Sequence, residues 1–206
     1  MPVWYLEKFN RAVPIELQAG LAYALQTGYL EAAEHCRRRF QRFGWEKALG
    51  ANRWFFLEEA LLRLRDEYPV LDAVRLPNVS HSHYFGLARM GDVYFTIAKV
   101  ADPTAKPPST LFRQALQSPV QFSWLDGWGG LPPDGLCALL IHGPDSEDPS
   151  KPAFARVKFM DGTDHYLSEH IDLYKQFIGV PPSVERIQIE KRQLVQPRRQ
   201  PQQQSG

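Results

Sequence analysis

The chain holds 206 residues, 44% of them hydrophobic and 23% charged, with a formal net charge of +1. That length supports one sizeable core, and the composition excludes global disorder. Near-neutrality excludes a generic electrostatic attraction to nucleic acid or membrane surfaces. Five Trp, eight Tyr and twelve Phe leave much aromatic surface to bury or to present to a partner. No apolar stretch approaches the roughly 20 residues of a membrane span. The start, MPVWYLEKFNRAVP, lacks the pattern of a secretory signal. Cys36 and Cys137 form no CxxC pair and sit in apolar or helical surroundings, which suits buried free thiols in a reducing cytoplasm.

Pro14 to Tyr68 reads as helical. Ile15, Leu17, Leu21 and Leu25 recur near helical spacing until Thr27-Gly28, which reads as an interruption. A second helix is predicted from Tyr29 to Phe43, ended by Gly44. A third, Arg53 to Tyr68, has Trp54, Leu57, Leu61 and Leu64 on one stripe and stops at Pro69. From Val70 the period shortens to that of strands. Tyr84–Ala88 and Val93–Val100 flank Arg89-Met90-Gly91-Asp92 as a hairpin. Leu136–Ile141 is apolar throughout and reads as a central strand, followed by an alternating strand over Ala155–Phe159 and a turn at Asp161-Gly162. Ser168 is placed to cap a last helix ending at Gly179, and Ile187 with Ile189 suggest a short closing strand. The expected fold class is α+β, with an N-terminal helical layer packed on a mostly antiparallel sheet. One domain spans residues 1–192, with a helical part at 14–68 and a sheet part at 70–192. Within it, residues 101–135 form a long Pro/Gly-rich loop. Residues 193–206, with six Gln and no aromatic residue, read as a disordered tail.

No GxSxG, Walker, GxGxxG or HExxH pattern is present, so the expectation is a non-enzyme without metal or cofactor. His81 and His83 lie two apart and share one face of a strand, but zinc needs further ligands, available only at a distance from His142, His165, His170 or a carboxylate. Arg75 and His81 match the Arg-x5-His spacing of helical ribonuclease toxins, yet Pro77 between them breaks the helix that the pairing requires. Arg37, Arg38, Arg39 and Arg42 form a basic cluster that either meets phosphates or complements a helix C-terminus. Two alternatives therefore stand beside a binding role. One is a nuclease-type toxin or other hydrolase using His81 and His83. The other is a nucleic-acid-binding module using Arg37–Arg42.

The remaining motif is Gln117-Ser118-Pro119-Val120-Gln121-Phe122, of the form Gln-x-x-aliphatic-x-aromatic, inside the long loop. An extended peptide of this form sets one amide in a polar notch and two apolar side chains in a neighbouring pocket. Pro119 favours an extended Ser118, and Trp124 and Trp128 follow as flanking contacts. A near-match, Gln18-Ala19-Gly20-Leu21-Ala22-Tyr23, falls in a predicted helix where Leu21 reads as core. The loop motif resembles the peptides by which bacterial proteins dock on the DNA polymerase sliding clamp. Together with a small, aromatic-rich chain lacking a catalytic signature, it resembles replication-inhibiting toxins of the SocB type. That resemblance implies occupation of the clamp's peptide site by Gln117, Val120 and Phe122, and arrest of replication. It also implies a SocA-like antitoxin acting as a proteolytic adaptor to the ClpXP protease, with the tail or the chain start as the protease's entry point. No membrane and no direct nucleic-acid partner are expected.

Overall fold

The computed structural model describes residues 3–40, 44–77, 84–107, 135–160 and 165–178. Three helices precede the sheet: α1 (Trp4–Ala12), α2 (Ile15–Arg39) and α3 (Trp45–Glu67). Six strands follow: β1 (Asp72–Pro77), β2 (Tyr84–Met90), β3 (Val93–Lys99), β4 (Leu136–Pro144), β5 (Pro152–Met160) and β6 (Tyr166–Asp172). They form one sheet in the order β1-β2-β3-β4-β5-β6. Every neighbouring pair is antiparallel except β3 and β4, which run parallel from Val93↔Leu136 to Lys99↔His142. The fold is therefore α+β, with N-terminal helices on a mostly antiparallel sheet.

Alternation sorts the strand residues into two faces. Ala88, Val93, Phe95, Ile97, Leu136, Ala138, Leu140, Ala155, Val157, Phe159 and Ile171 join Phe9, Leu17, Leu21, Leu25, Tyr29, Leu57, Leu61 and Leu64 in the main core under the helices. On the opposite face, Ala98, Val100, Leu139, Ile141, Phe154 and Met160 form a second cluster, against which Ala105 and Tyr166 pack. Burial of β4 on both faces explains why its sequence is apolar without alternation.

Three expectations change. Thr27-Gly28 does not interrupt the helix, and α2 runs unbroken through both residues. A Cβ on Gly28 would lie 3.1 Å from the backbone of Leu57 and of Phe56, so this glycine serves a close approach of α3. Gly44, with φ of 90°, precedes α3 as its N-cap, whereas α2 ends earlier, at Arg39. Ser168 caps no helix. It lies within β6, which gives way to a single π-helical turn over Tyr174–Ile178. Helix α1 lies before the helical stretch expected from Pro14 and buries Tyr5 and Phe9 against Phe159. The expected hairpin forms with a tighter turn: Arg89 and Met90 belong to β2 and pair with Tyr94 and Val93, which leaves Gly91, at φ 56°, and Asp92 to turn the chain. Asp161-Gly162, Ile187, Ile189 and the 193–206 tail lie outside the described residues.

Candidate functional site

Parallel neighbours cannot be joined by a tight turn, because the chain must return along the length of the pair. The connection from β3 to β4, residues 100–135, is thus a crossover imposed by the sheet order, and far longer than the dozen or so residues that a crossover requires. Its described first part leaves β3 onto the face opposite the helices. There Asp102 Oδ1 accepts hydrogen bonds from the amides of Thr104 (2.8 Å) and Ala105 (3.0 Å), and Ala105 packs on the second cluster. Gln117, Val120, Phe122, Trp124 and Trp128 all belong to this connection and lie outside the described residues. The near-match at Gln18 is no docking peptide. Gln18 Nε2 donates to Asn10 Oδ1 (3.1 Å) and to the Val13 carbonyl (2.9 Å), and Leu21 is core.

The described histidines do not converge. His81 and His83 lie outside the described residues. His142 is buried on the helix side of β4, whereas His170 lies across from Lys158 on the other face of the sheet. His165 is exposed just before β6. No group of three or more His, Cys, Asp or Glu among the described residues is placed to hold a metal ion. Arg75 lies on β1 and pairs with Glu59 at 3.2 Å. Within the arginine cluster, the Arg37 guanidinium covers the Trp45 ring at 4.8 Å and Arg38 pairs with Glu34 at 2.7 Å. Two of its cations thus have partners within the helical hairpin, and Arg42 lies outside the described residues.

One polar cluster was not foreseen. It joins Tyr29 of α2, Arg53 of α3 and His142 of β4 under the helices. The Tyr29 hydroxyl and His142 Nδ1 are 2.7 Å apart, and their donor and acceptor roles follow the imidazole tautomer. The Arg53 guanidinium lies over the Tyr29 ring at 4.5 Å and donates to the Pro149 carbonyl at 2.7 Å. Burial, with Arg53 and Lys99 nearby, holds the His142 pKa down to about 3, and burial raises that of the Tyr29 phenol. Both groups are therefore neutral around pH 7. Arg53 Nε and His142 Nε2 have no hydrogen-bond partner among the described residues. At 0% and 1% exposure, Tyr29 and His142 are closed to a substrate, so the cluster ties helices to sheet.

A second buried ionisable group, Glu58 of α3, accepts the Gly86 amide at 3.0 Å. The β2–β3 ladder begins only at Leu87↔Thr96, so the Gly86 backbone is not paired in that ladder. Thr96 Oγ1 in turn donates to the Gly86 carbonyl at 2.9 Å. Burial pushes the Glu58 pKa up to about 7, against the opposing effects of the Gly86 hydrogen bond and of Arg75. Cys36 and Cys137 are free and buried, and burial raises both thiols, Cys137 to about 12. Neither is a ready nucleophile. Between α2 and α3 a groove of about 560 Å³ is lined by Leu17, Gly20, Tyr23, Leu64, Tyr68 and Val70.

No protein-family model, curated protein or solved structure matches this chain. Function must therefore be argued from its own residues. No helix among the described residues is long and apolar enough to cross a membrane.

Proposed function

We propose that this chain is a non-enzymatic binding protein that docks on the bacterial DNA polymerase sliding clamp and blocks replication, as the toxin of a toxin–antitoxin pair. Gln117 is the polar anchor, Val120 and Phe122 are the apolar anchors, and Trp124 and Trp128 extend the contact. A SocA-like adaptor and the ClpXP protease complete the system by removing the toxin. The observation that carries this reading is the placement of the Gln-x-x-Val-x-Phe sequence in a connection that is longer than its parallel strands need. The closed environment of Tyr29, Arg53 and His142 also favours binding over catalysis by that cluster.

The test is capture of the full-length chain on immobilised clamp. Gln117→Ala and Phe122→Ala each remove an anchor, and the expected loss is about 2 kcal/mol or more per anchor, roughly 30-fold in affinity. Circular dichroism of both variants should match that of the unmodified chain. Undiminished capture of the double variant overturns the proposal.

A further inference from the structure

The face of β5 and β6 turned away from the helices collects cationic and hydrogen-bond-donating groups. Arg156 and Lys158 stand on β5 between the core residues Ala155, Val157 and Phe159, so both project to the opposite face. Across the ladder, Asp172 faces Arg156 and His170 faces Lys158. The charges do not cancel. Arg156 Nε donates to Asp172 Oδ2 at 3.2 Å, and one carboxylate is thereby matched to one guanidinium. Lys158 is left over. It is only 9% exposed, its ammonium sits 5.3 Å from the centre of the Tyr166 ring, and no carboxylate among the described residues pairs with it. Burial and the neighbouring Arg156 lower its pKa, and burial together with Lys158 and Arg156 lowers that of His170, against the opposing effects of Asp172 and Glu169.

A buried ammonium that has, among the described residues, only an aromatic face beside it is a costly arrangement, since it has given up water without gaining a counter-charge there. Arg156 adds to the imbalance. It uses its Nε on Asp172, while its two terminal nitrogens, the fork that grips oxyanions, have no hydrogen-bond partner among the described residues. His170 adds a ring nitrogen on the same face. These donors come from two adjacent strands of a hydrogen-bonded ladder, so their spacing is fixed before any ligand arrives.

We propose that Arg156, Lys158 and His170 form a binding site for a phosphate group, either free phosphate or a phosphate monoester. The ligand supplies the negative charge missing beside Lys158, and its oxygens take the fork of Arg156 and the imidazole of His170. The site lies on a different surface from the helix-side cluster and does not rest on clamp docking.

Calorimetric titration of the full chain with inorganic phosphate, against sodium chloride at matched ionic strength, tests this site. Saturable binding of one phosphate per chain is expected, with a rise in melting temperature that grows with phosphate concentration. Lys158→Met keeps the stem's packing and removes the charge. It should weaken phosphate binding at least about tenfold without lowering the melting temperature measured in chloride alone. Should that variant not fold, Arg156→Lys keeps the charge but loses the fork, and the same tenfold loss is expected. A parallel titration with adenosine monophosphate separates the two sources. Equal affinity identifies the free anion, and tighter binding identifies a nucleotide. Absence of saturable heat with both probes, a melting shift that chloride reproduces, or undiminished affinity in the folded variant overturns the site.

Discussion

Tyr29 shows how far apart in sequence the parts of one buried contact can be. Its partner His142 lies 113 residues away, and Arg53 reaches both the Tyr29 ring and the Pro149 carbonyl. Tyr29→Phe keeps the ring under Arg53 and deletes only the hydroxyl. It leaves His142 with neither ring nitrogen satisfied by a described residue, because Nε2 already has no partner among them. A buried group stranded in this way costs about 1–3 kcal/mol. The expected result is a loss of that size in urea denaturation at pH 7.5, with an unchanged far-ultraviolet spectrum. Equal stability of variant and parent would show that the hydroxyl contributes nothing. In the sequence, Tyr29 reads as the start of a helix and His142 as one of the distant residues that could complete a zinc site with His81 and His83. No spacing rule links Tyr29 to His142, because the contact arises only when α2 is laid across the end of β4.

At the scale of elements, glycines show where the sequence reading holds and where it does not. Gly28 and Gly50 both lie inside helices, and propensity alone treats them alike. Their surroundings differ. A Cβ at Gly28 meets Leu57 Cδ2 at 2.8 Å and backbone at 3.1 Å, whereas at Gly50 it meets nothing within 4 Å. Gly28→Ala should therefore destabilise by about 1–3 kcal/mol through forced separation of α2 from α3. Gly50→Ala should stabilise by about 0.5–1 kcal/mol through helix propensity. Chemical denaturation of the two variants checks the sign of each, and a stabilised Gly28→Ala would refute the close-approach reading. The same limit explains β6. Ser168 and Gly179 carry helix-boundary chemistry, but pairing with β5 decides the conformation of Tyr166–Asp172. Strands β3 to β5 and the hairpin were legible because burial imposes their apolar patterns. The Arg156–Lys158–His170 cluster was not, because it depends on which residues the ladder sets side by side. The clamp motif was legible as a string of residue types alone.

For the molecule as a whole, two buried titratable groups act on stability in opposite directions. Glu58 has its pKa raised from 4.5 to about 7. Between those values the folded chain holds a proton that the unfolded chain has lost, so stability falls as pH rises through this window. His142 has its pKa lowered from 6.5 to about 3. Across that span the unfolded chain holds the extra proton, so stability rises with pH. Each slope approaches about 1.4 kcal/mol per pH unit, and the windows overlap from 4.5 to 6.5. There the two contributions offset each other. Glu58→Gln removes one of them while leaving a carbonyl oxygen to accept the Gly86 amide. Urea denaturation at pH 4.5, 5.5 and 6.5 should then show the variant gaining on the parent with each step, by about 2 kcal/mol in total. Other groups titrate in both proteins and drop out of the difference. Parallel stability profiles for variant and parent would mean that Glu58 is not held neutral by its burial against β2.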